Sequence, residues 1–315
     1  MYNLSVNDYA FLDKFDLAAL VMGGSHAYGL ANENSDVDIR GVAFNSREEL
    51  LLGKDFESYS DNNTDTVIYS HQKFLKLLQK CNMKALEMLG VRSEDTFKDS
   101  AFFNELLFNQ DKYISKELIS QVLGYVNAQM RLVDKKMDAV SDDHHNVYLT
   151  KSLQYSMRSL GENFDINFYI KDGKIYMKGN YDASLTEVMQ MYANISNLLK
   201  QDKKENKSSS KKMPIDVMAK AQANVLYAYL FLIDILEGNG IKTYRSEEDR
   251  KLLLAVKNKE FVSQNKPTKE FYDLVKEKEE RLTELKTKTH LREKADEEFF
   301  NSLLIKTNAE IVRKG

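Results

Sequence analysis

Short apolar runs and helix-spaced apolar positions alternate over the first 95 residues. Residues 20–22, 35–44 and 66–69 are predicted strands, since each is short and is either apolar, rich in β-branched residues or apolar on one face. Helical spacing occurs over residues 6–15 and 72–78, and a further helix is predicted from Lys84, after a break at Asn82. The pattern predicts a small sheet with helices packed on it.

Beyond residue 95 the periodicity is mainly helical. Apolar residues recur every three or four positions over residues 101–108, 114–139 and 149–160. Residues 168–177 instead predict a β-hairpin with Asp172-Gly173 at its turn. The charged, serine-rich residues 201–213 predict a mobile loop. The fold class is therefore α+β, with a small mixed sheet at the N-terminus followed by a mainly helical C-terminal region.

Length, charge and cysteine content limit the classes of protein to which the chain could belong. The chain has 315 residues, 43% of them hydrophobic, which is enough for one large or two modest domains. Its 45 basic and 48 acidic residues exclude a strongly basic nucleic-acid binder overall, although local basic patches remain open. Cys81 is the one cysteine, which excludes an intramolecular disulfide. No apolar run reaches the length of a membrane span, so we expect no membrane partner and a cytoplasmic protein.

Two closely spaced carboxylates carry the first chemical signal. Asp36 and Asp38 lie two residues apart in SDVDIRGVAF, and alternate residues of a strand project from the same face. Two ionised acids on one face repel each other unless a cation lies between them. Oxygen ligands of this kind suit Mg²⁺ or Mn²⁺, which bind through carboxylates and substrate phosphates. The pair therefore predicts a divalent metal site.

A glycine-rich turn precedes the two acids. The predicted strand 20–22 runs into Gly23-Gly24-Ser25, where the missing side chains let backbone N–H groups approach an anion. The Ser25 hydroxyl is a further donor for a phosphate oxygen. His26 follows directly and is a candidate to donate to phosphate or to orient the substrate. The segment predicts a phosphate-binding turn followed by a metal-binding strand.

These motifs resemble those of a known superfamily. A strand ending in Gly-Ser, followed by Asp-hydrophobic-Asp, is similar to the signature of DNA polymerase beta-like nucleotidyltransferases. The fuller string GGSHAYGLANENSDVDIRG resembles the branch found beside RNA-repair genes and in phage genomes, which implies a chain acting in the cytoplasm of a cell or of a phage host. Within the motif, Tyr28 and Arg40 are further candidates for substrate binding.

The resemblance implies a third carboxylate on a neighbouring strand. Asp65 is the first candidate, because it begins the predicted strand 66–69. Asp61, Asp55 and Glu57 remain alternatives. In the superfamily these acids hold two metal ions, so Asp36, Asp38 and Asp65 are the predicted catalytic and metal-binding residues.

Two later segments also resemble the family. Asn82 and Glu87 match a segment in which Asn-Pro precedes a glutamate-bearing helix, with Met83 in place of the proline, and Glu87 is either a pocket residue or a buried, hydrogen-bonded glutamate. Lys220 matches a lysine implied to contact the triphosphate, with a solvated surface lysine as the alternative. Tyr244 and Arg245, in the Thr-Tyr-Arg turn, bind acceptor or base, or else pack the turn. Asn224 replaces the family's histidine, Tyr227 an arginine and Lys259 a glycine.

The resemblance implies a function and a domain plan. The chain would transfer a nucleoside monophosphate from a nucleoside triphosphate (NTP) to a hydroxyl, with an RNA or tRNA 3′ end as the favoured acceptor. Alternatives are a nucleotidyltransferase that modifies a protein or small molecule, such as an AMP-transferring effector, and a non-catalytic nucleotide-binding protein. The predicted domains are a catalytic core at 1–95, a helical region with a hairpin at 96–200, the loop at 201–213, and a helical region at 214–315 that closes the cleft.

Overall fold

The computed structural model describes residues 6–33, 35–134, 150, 153–154, 164–172, 174–208 and 214–314. A mixed sheet lies in the N-terminal part, and helices dominate the rest of the chain. The predicted α+β class is confirmed. Among the described residues, none of the helices combines the length and the apolar character that crossing a membrane requires.

Five strands form the main sheet, in the order β3-β4-β2-β1-β5. Strand β2 pairs with β1 in antiparallel and with β4 in parallel orientation, while β3 and β5 are antiparallel edge strands. The strands are β1 (Leu17–Met22), β2 (Ile39–Ala43), β3 (Ser58–Asp61), β4 (Thr66–Ser70) and β5 (Thr96–Lys98). Because β2 and β4 are parallel, their first residues lie side by side at one edge of the sheet.

The central strands β1 and β2 consist mainly of apolar residues, and both of their faces are buried in the protein. Ala18, Val21 and Val42 are fully buried in β1 and β2. Leu17, Ala43 and Ile68 form a cluster against which partly buried aromatic residues of the N-terminal segment pack. Continuous apolar runs of this kind are typical of strands in the interior of a sheet.

Eleven α-helices are named among the described residues, and most begin at a recognisable cap. They are α1 (Gly24–Tyr28), α2 (Arg47–Leu51), α3 (His71–Gln79), α4 (Met83–Met88), α5 (Ala101–Phe108), α6 (Glu117–Asp134), α7 (Leu185–Ser208), α8 (Ile215–Leu236), α9 (Glu247–Lys257), α10 (Lys269–Lys288) and α11 (Glu297–Lys314). Ser46 caps α2 in a reciprocal capping box with Glu49, and the Asn82 side chain accepts from the Ala85 N–H to start α4.

Several predicted elements differ in extent from the observed ones. The first predicted helix is a 3₁₀ helix, Val6–Lys14. The predicted hairpin is present and longer, with β6 (Phe164–Lys171) paired to β7 (Lys174–Tyr181). Residues 201–208, predicted as the start of a mobile loop, continue helix α7, because most of them are Lys, Glu or Gln, which have high helix propensity. Residues 209–213, 135–139 and most of the predicted helix 149–160 lie outside the described residues.

By their internal contacts, the residues form two compact units. Unit 1 comprises Met1–Gln121, Phe231–Arg250 and Leu285–Gly315, and unit 2 comprises Val122–Leu230 and Lys251–Glu284. Each unit therefore draws on separate parts of the sequence. The four consecutive regions expected from the sequence remain a prediction.

A buried histidine connects two helices within unit 1. His71, at the start of α3, accepts from the Asn45 backbone N–H through Nδ1 at 3.2 Å, and its Nε2 lies 2.8 Å from the Asn308 side-chain oxygen in α11. Burial lowers the pKa of His71 below its usual value of 6.5, although Asn308 and Asp55 act in the opposite direction. The hydrogen bonds require a neutral ring, because a protonated Nδ1 would face the Asn45 donor.

We expect acid to destabilise unit 1 through His71. A base with a lowered pKa in the folded state stabilises the fold above its unfolded pKa of 6.5, and this contribution is lost as the pH falls below that value. Urea unfolding from pH 7.5 to 5.5 should therefore show a steeper loss for the wild type than for His71→Asn, whose amide oxygen still accepts from Asn45. The control is His290→Asn at an exposed position. Equal pH dependence in both variants would contradict the prediction.

Candidate active site

The candidate site lies where the parallel strands β2 and β4 begin. Ile39 and Thr66 are paired first residues of these strands, and the acids Asp38 and Asp65 immediately precede them. The Ile39 N–H donates to the Asp65 carbonyl at 3.3 Å, which extends the pairing by one step. Asp65 lies in the β3–β4 turn with a φ of 46°, and its side chain is 59% exposed. The placement of Asp65 beside Asp38, expected from the sequence, is observed.

Arg40 connects the two acids. Its guanidinium Nη2 donates to Asp38 Oδ1 at 2.9 Å and lies 4.0 Å from Asp65 Oδ1. Its Nη1 donates to the backbone carbonyls of Asp65 at 2.6 Å and Ile39 at 2.8 Å. One guanidinium thus offsets part of the negative charge of the two carboxylates and fixes the backbone at the starts of both strands. The sequence predicts a substrate-binding role for Arg40, and that role remains a prediction beside these contacts.

The Asp38 carboxyl is in an electrostatically unfavourable position for an anion. Burial raises the pKa of Asp38 above its usual value, Arg40 opposes that rise, and the neighbouring Asp65 carboxyl reinforces it. The Asp38 and Asp65 carboxyl groups are close enough for their like charges to interact. Such a like-charged pair gains from any additional cation placed between its oxygens.

The Gly23–Gly24 turn lies directly against Asp38. The Gly23 N–H donates to the Asp38 carbonyl at 2.8 Å. Gly24 has a φ of 56°, and a Cβ built there would come within 1.7 Å of Asp38 Oδ2. Glycine is therefore required at position 24 both by the backbone conformation and by the close approach of the carboxylate. The predicted phosphate-binding turn and the acid Asp38 form one contiguous surface.

Asp36 is placed differently from the prediction. Strand β2 begins at Ile39, so neither Asp36 nor Asp38 lies within it, and the expectation that both project from one strand face is wrong. Residues 35–38 belong to no strand, and Asp36 is exposed. Among the residues that the structure describes, no three His, Cys, Asp or Glu side chains are grouped closely enough to hold a metal ion. The described site therefore offers a pair, Asp38 and Asp65.

The other acids considered as the third carboxylate have local partners. Asp61 Oδ2 accepts from the Thr64 N–H at 2.9 Å and from its hydroxyl at 2.8 Å, which closes the β3–β4 turn. Asp55 accepts from the Asn45 side chain and the Glu57 N–H, and Glu57 forms an ion pair with Lys73. These contacts favour Asp65 over the alternatives.

Helix α1 carries the next predicted residues. Ser25 lies in its first turn and accepts from the Leu30 N–H through its carbonyl. His26 Nε2 is 3.3 Å from the Ser35 carbonyl, so its ring connects α1 to the segment that leads to Asp38. Ser25 and His26 therefore lie next to the Gly23–Gly24 turn, and their roles in nucleotide binding remain predictions.

Tyr28 and Glu87 are buried and hydrogen-bonded to each other, and the exposed Lys84 contacts both. The Tyr28 hydroxyl donates to Glu87 Oε2 at 2.8 Å, and Lys84 Nζ donates to the Tyr28 oxygen at 2.7 Å and to Glu87 at 3.0 Å. The Glu87 side chain is 8% exposed. Glu87 thus matches the buried, hydrogen-bonded alternative. Sequence reasoning missed Lys84, although its position one helical turn before Glu87 was the available signal.

The Thr-Tyr-Arg turn packs within unit 1. The Arg245 side chain is 3% exposed and pairs with Asp249 at 3.0 Å and with Asp234, so its guanidinium is engaged in packing the turn. The guanidinium carbons of Arg92 and Arg250 lie 3.7 Å and 4.7 Å from the centre of the Tyr244 ring. These contacts correspond to the packing alternative for both residues.

Lys220 belongs to unit 2. It is exposed on α8. The pKa of Lys257 is lowered, first by the burial of Lys257 itself and second by the positive charge of Lys220. Nearby, Asn224, which replaces the family's histidine, donates to the Gln129 side chain at 3.1 Å. The predicted contact between Lys220 and the triphosphate remains a prediction.

Comparison with models of protein families identifies the family of this chain. The model described as RlaP, the RNA repair pathway DNA polymerase beta family, matches residues 14–229, more than half of the chain. The chain belongs to this family. The match covers the Gly-Gly-Ser turn, both strand starts and the acids that precede them. Its members are polymerase beta-like nucleotidyltransferases of an RNA-repair branch, and the predicted resemblance is thereby confirmed. No curated protein matches the chain.

Two glycine substitutions distinguish the effect of a clash with Asp38 from the effect of a positive φ alone. Gly24→Ala and Gly53→Ala both place alanine at positive φ, but Gly53 has open space around it whereas Gly24 faces Asp38. We expect Gly53→Ala to lower the free energy of unfolding by about 1 kcal/mol. Gly24→Ala should cost more and abolish nucleotidyl transfer, because Asp38 must move. Urea unfolding and a transfer assay check both variants, and an active Gly24→Ala protein would contradict the packing described.

Proposed function

We propose that the protein transfers a nucleoside monophosphate from an NTP to the 3′ hydroxyl of an RNA, with release of pyrophosphate. The observation that carries the proposal is the single surface formed by Gly24, Asp38 and Asp65 at the starts of β2 and β4. A phosphate-binding turn in contact with paired carboxylates is what phosphoryl transfer requires, since the chemistry depends on positioning and charge neutralisation.

The donor set fits a divalent metal ion. Asp38 and Asp65 present carboxylate oxygens only. Burial raises the pKa of Asp38 and the Asp65 carboxyl adds to that rise, so an added cation would favour the ionised form. Mg²⁺ or Mn²⁺ would be held by these two residues and by substrate phosphates, with Asp36 as a further ligand from the adjoining segment. When bound, the ion supplies charge stabilisation for the triphosphate and lowers the pKa of a coordinated hydroxyl.

The chain's own groups have distinct roles in the proposal. Backbone N–H groups of Gly24 and Ser25, together with the Ser25 hydroxyl, bind and orient the phosphates. The exposed Asp65 carboxylate accepts the proton of the attacking hydroxyl. The hydroxyl oxygen forms a bond to the α-phosphorus, the bond from the α-phosphorus to the bridging oxygen breaks, and pyrophosphate carries away the electron pair.

RNA is favoured as the acceptor by the family to which the chain belongs. The near-neutral overall charge of −3 supports the second candidate, transfer to a protein or a small molecule, because strong attraction to a polyanion is not required there. The same labelling experiment distinguishes the two.

The test incubates the protein with each α-³²P-labelled NTP, Mg²⁺ or Mn²⁺, and a pool of tRNA and short RNA. We expect metal-dependent label on RNA with the wild type. Asp38→Asn and Asp65→Asn should each reduce the rate at least about a hundredfold, the scale expected for removing a charged group that acts in the transition state. Asp61→Asn, on the same hairpin as Asp65, is the matched control and should stay active.

Folding is measured in parallel by circular dichroism. Asp38→Asn is expected to fold, because burial and Asp65 already disfavour the ionised acid, and the amide oxygen still accepts from Arg40. Label on protein or on a small molecule would replace the RNA acceptor by the second candidate. Full activity of a folded Asp38→Asn protein would overturn the assignment of the site.

A further inference from the structure

One face of the β6–β7 hairpin, in unit 2, combines aromatic and basic side chains. Cross-strand partners in an antiparallel pair share a face. The register pairs Tyr169 with Tyr176, Lys171 with Lys174, and Asn167 with Lys178, which places all six on one side. All six are exposed. We call this set the hairpin strip, and at a rise of about 3.4 Å per residue it is roughly 14 Å long.

The two tyrosines are positioned as a stacking platform. Their ring centroids are 5.6 Å apart and their planes differ by 18°, so the rings stack on each other across the strands. Tyr169 is 44% exposed and Tyr176 39% exposed. Nucleic-acid bases are ligands that stack on exposed aromatic rings of this kind.

The charge of the strip is one-sided. Lys171, Lys174 and Lys178 contribute three positive charges, and none of the six residues of the strip is an acid. This local excess contrasts with the net charge of −3 for the whole chain. The strip is therefore complementary to a polyanion, and to one that also offers planar groups for stacking.

The opposite face of the hairpin holds the strip in place. Ile166 is buried with Met191 of α7, and Phe168 packs against this cluster. The Gln154 side chain donates to the Ile166 carbonyl at 2.7 Å and accepts from the Phe168 N–H at 3.2 Å, which satisfies the outer edge of β6. The hairpin is therefore anchored through Ile166 and Phe168 on its apolar face, while the strip is exposed to solvent.

We infer that the hairpin strip binds single-stranded RNA, with bases stacked on Tyr169 and Tyr176 and phosphates bound by the three lysines. The RNA must be single-stranded, because a base can stack on a tyrosine ring only when the face of the base is accessible. The choice of RNA rests on the proposed function and on the family. The test measures binding alone, so that its failure is distinguishable from failure of nucleotidyl transfer.

Fluorescence anisotropy of a labelled single-stranded RNA is measured in EDTA, without NTP, over a salt series. The triple variant Lys171→Gln/Lys174→Gln/Lys178→Gln should lower the slope of log affinity against log salt by about 2, since each phosphate contact on a single strand contributes about 0.7. The control, Lys266→Gln/Lys269→Gln/Lys276→Gln, removes the same charge from exposed lysines of the same unit and should leave the slope unchanged.

The stacking is tested separately. Tyr169→Thr/Tyr176→Thr retains strand propensity and should bind about tenfold more weakly, whereas Tyr169→Phe/Tyr176→Phe should bind like the wild type. A duplex of the same sequence should compete poorly. The inference is overturned if the wild type binds no RNA, if the two lysine variants behave alike, or if the duplex competes as well as the single strand. If one of these results is obtained and the wild-type protein still transfers labelled nucleotide to RNA, the hairpin strip is excluded as the binding surface and the proposed function stands.

Discussion

The interaction between Arg40 and the two acids at the strand starts organises the candidate site. Parallel pairing of β2 with β4 brings residues 38 and 65 to the same edge of the sheet, where two carboxylates would repel each other. The Arg40 guanidinium contacts Asp38 and the Asp65 carbonyl and lies near the Asp65 carboxylate. It therefore offsets the repulsion and fixes both strand starts. The Gly23–Gly24 turn is placed against the same acid, and its missing side chains make that approach feasible.

Much of this arrangement could be predicted from local sequence. Gly23-Gly24-Ser25 after an apolar run indicates an anion-binding turn, and a β-branched run directly after Asp65 indicates an acid at a strand start. Both features depend on neighbours in the chain. The boundary of β2 was harder, since the pairing to β1 begins only at Ile39, so Asp36 lies outside the strand. Pairing partners from elsewhere in the sequence determine such boundaries, and periodicity alone does not contain them.

Residues whose role depends on distant partners could not be assigned from sequence. Tyr28 and Glu87 are 59 positions apart and share a hydrogen bond, and the Thr243 hydroxyl donates to the Glu87 carbonyl across 156 positions. Arg245 fitted both a substrate contact and a packing contact, and its burial with Asp234 and Asp249 shows the second. A charged side chain at a motif position is thus compatible with two roles until its partners are known.

The central claim, that Asp38 and Asp65 bind the metal ion with the triphosphate, is tested most directly by Mn²⁺ binding. Electron paramagnetic resonance would follow free Mn²⁺ during titration of the protein with a non-hydrolysable NTP analogue. We predict that Asp38→Asn weakens Mn²⁺ binding at least about tenfold relative to the wild type, as expected for loss of a charged ligand, and that Asp61→Asn leaves it unchanged. Equal Mn²⁺ affinity in a folded Asp38→Asn protein and the wild type would contradict the claim.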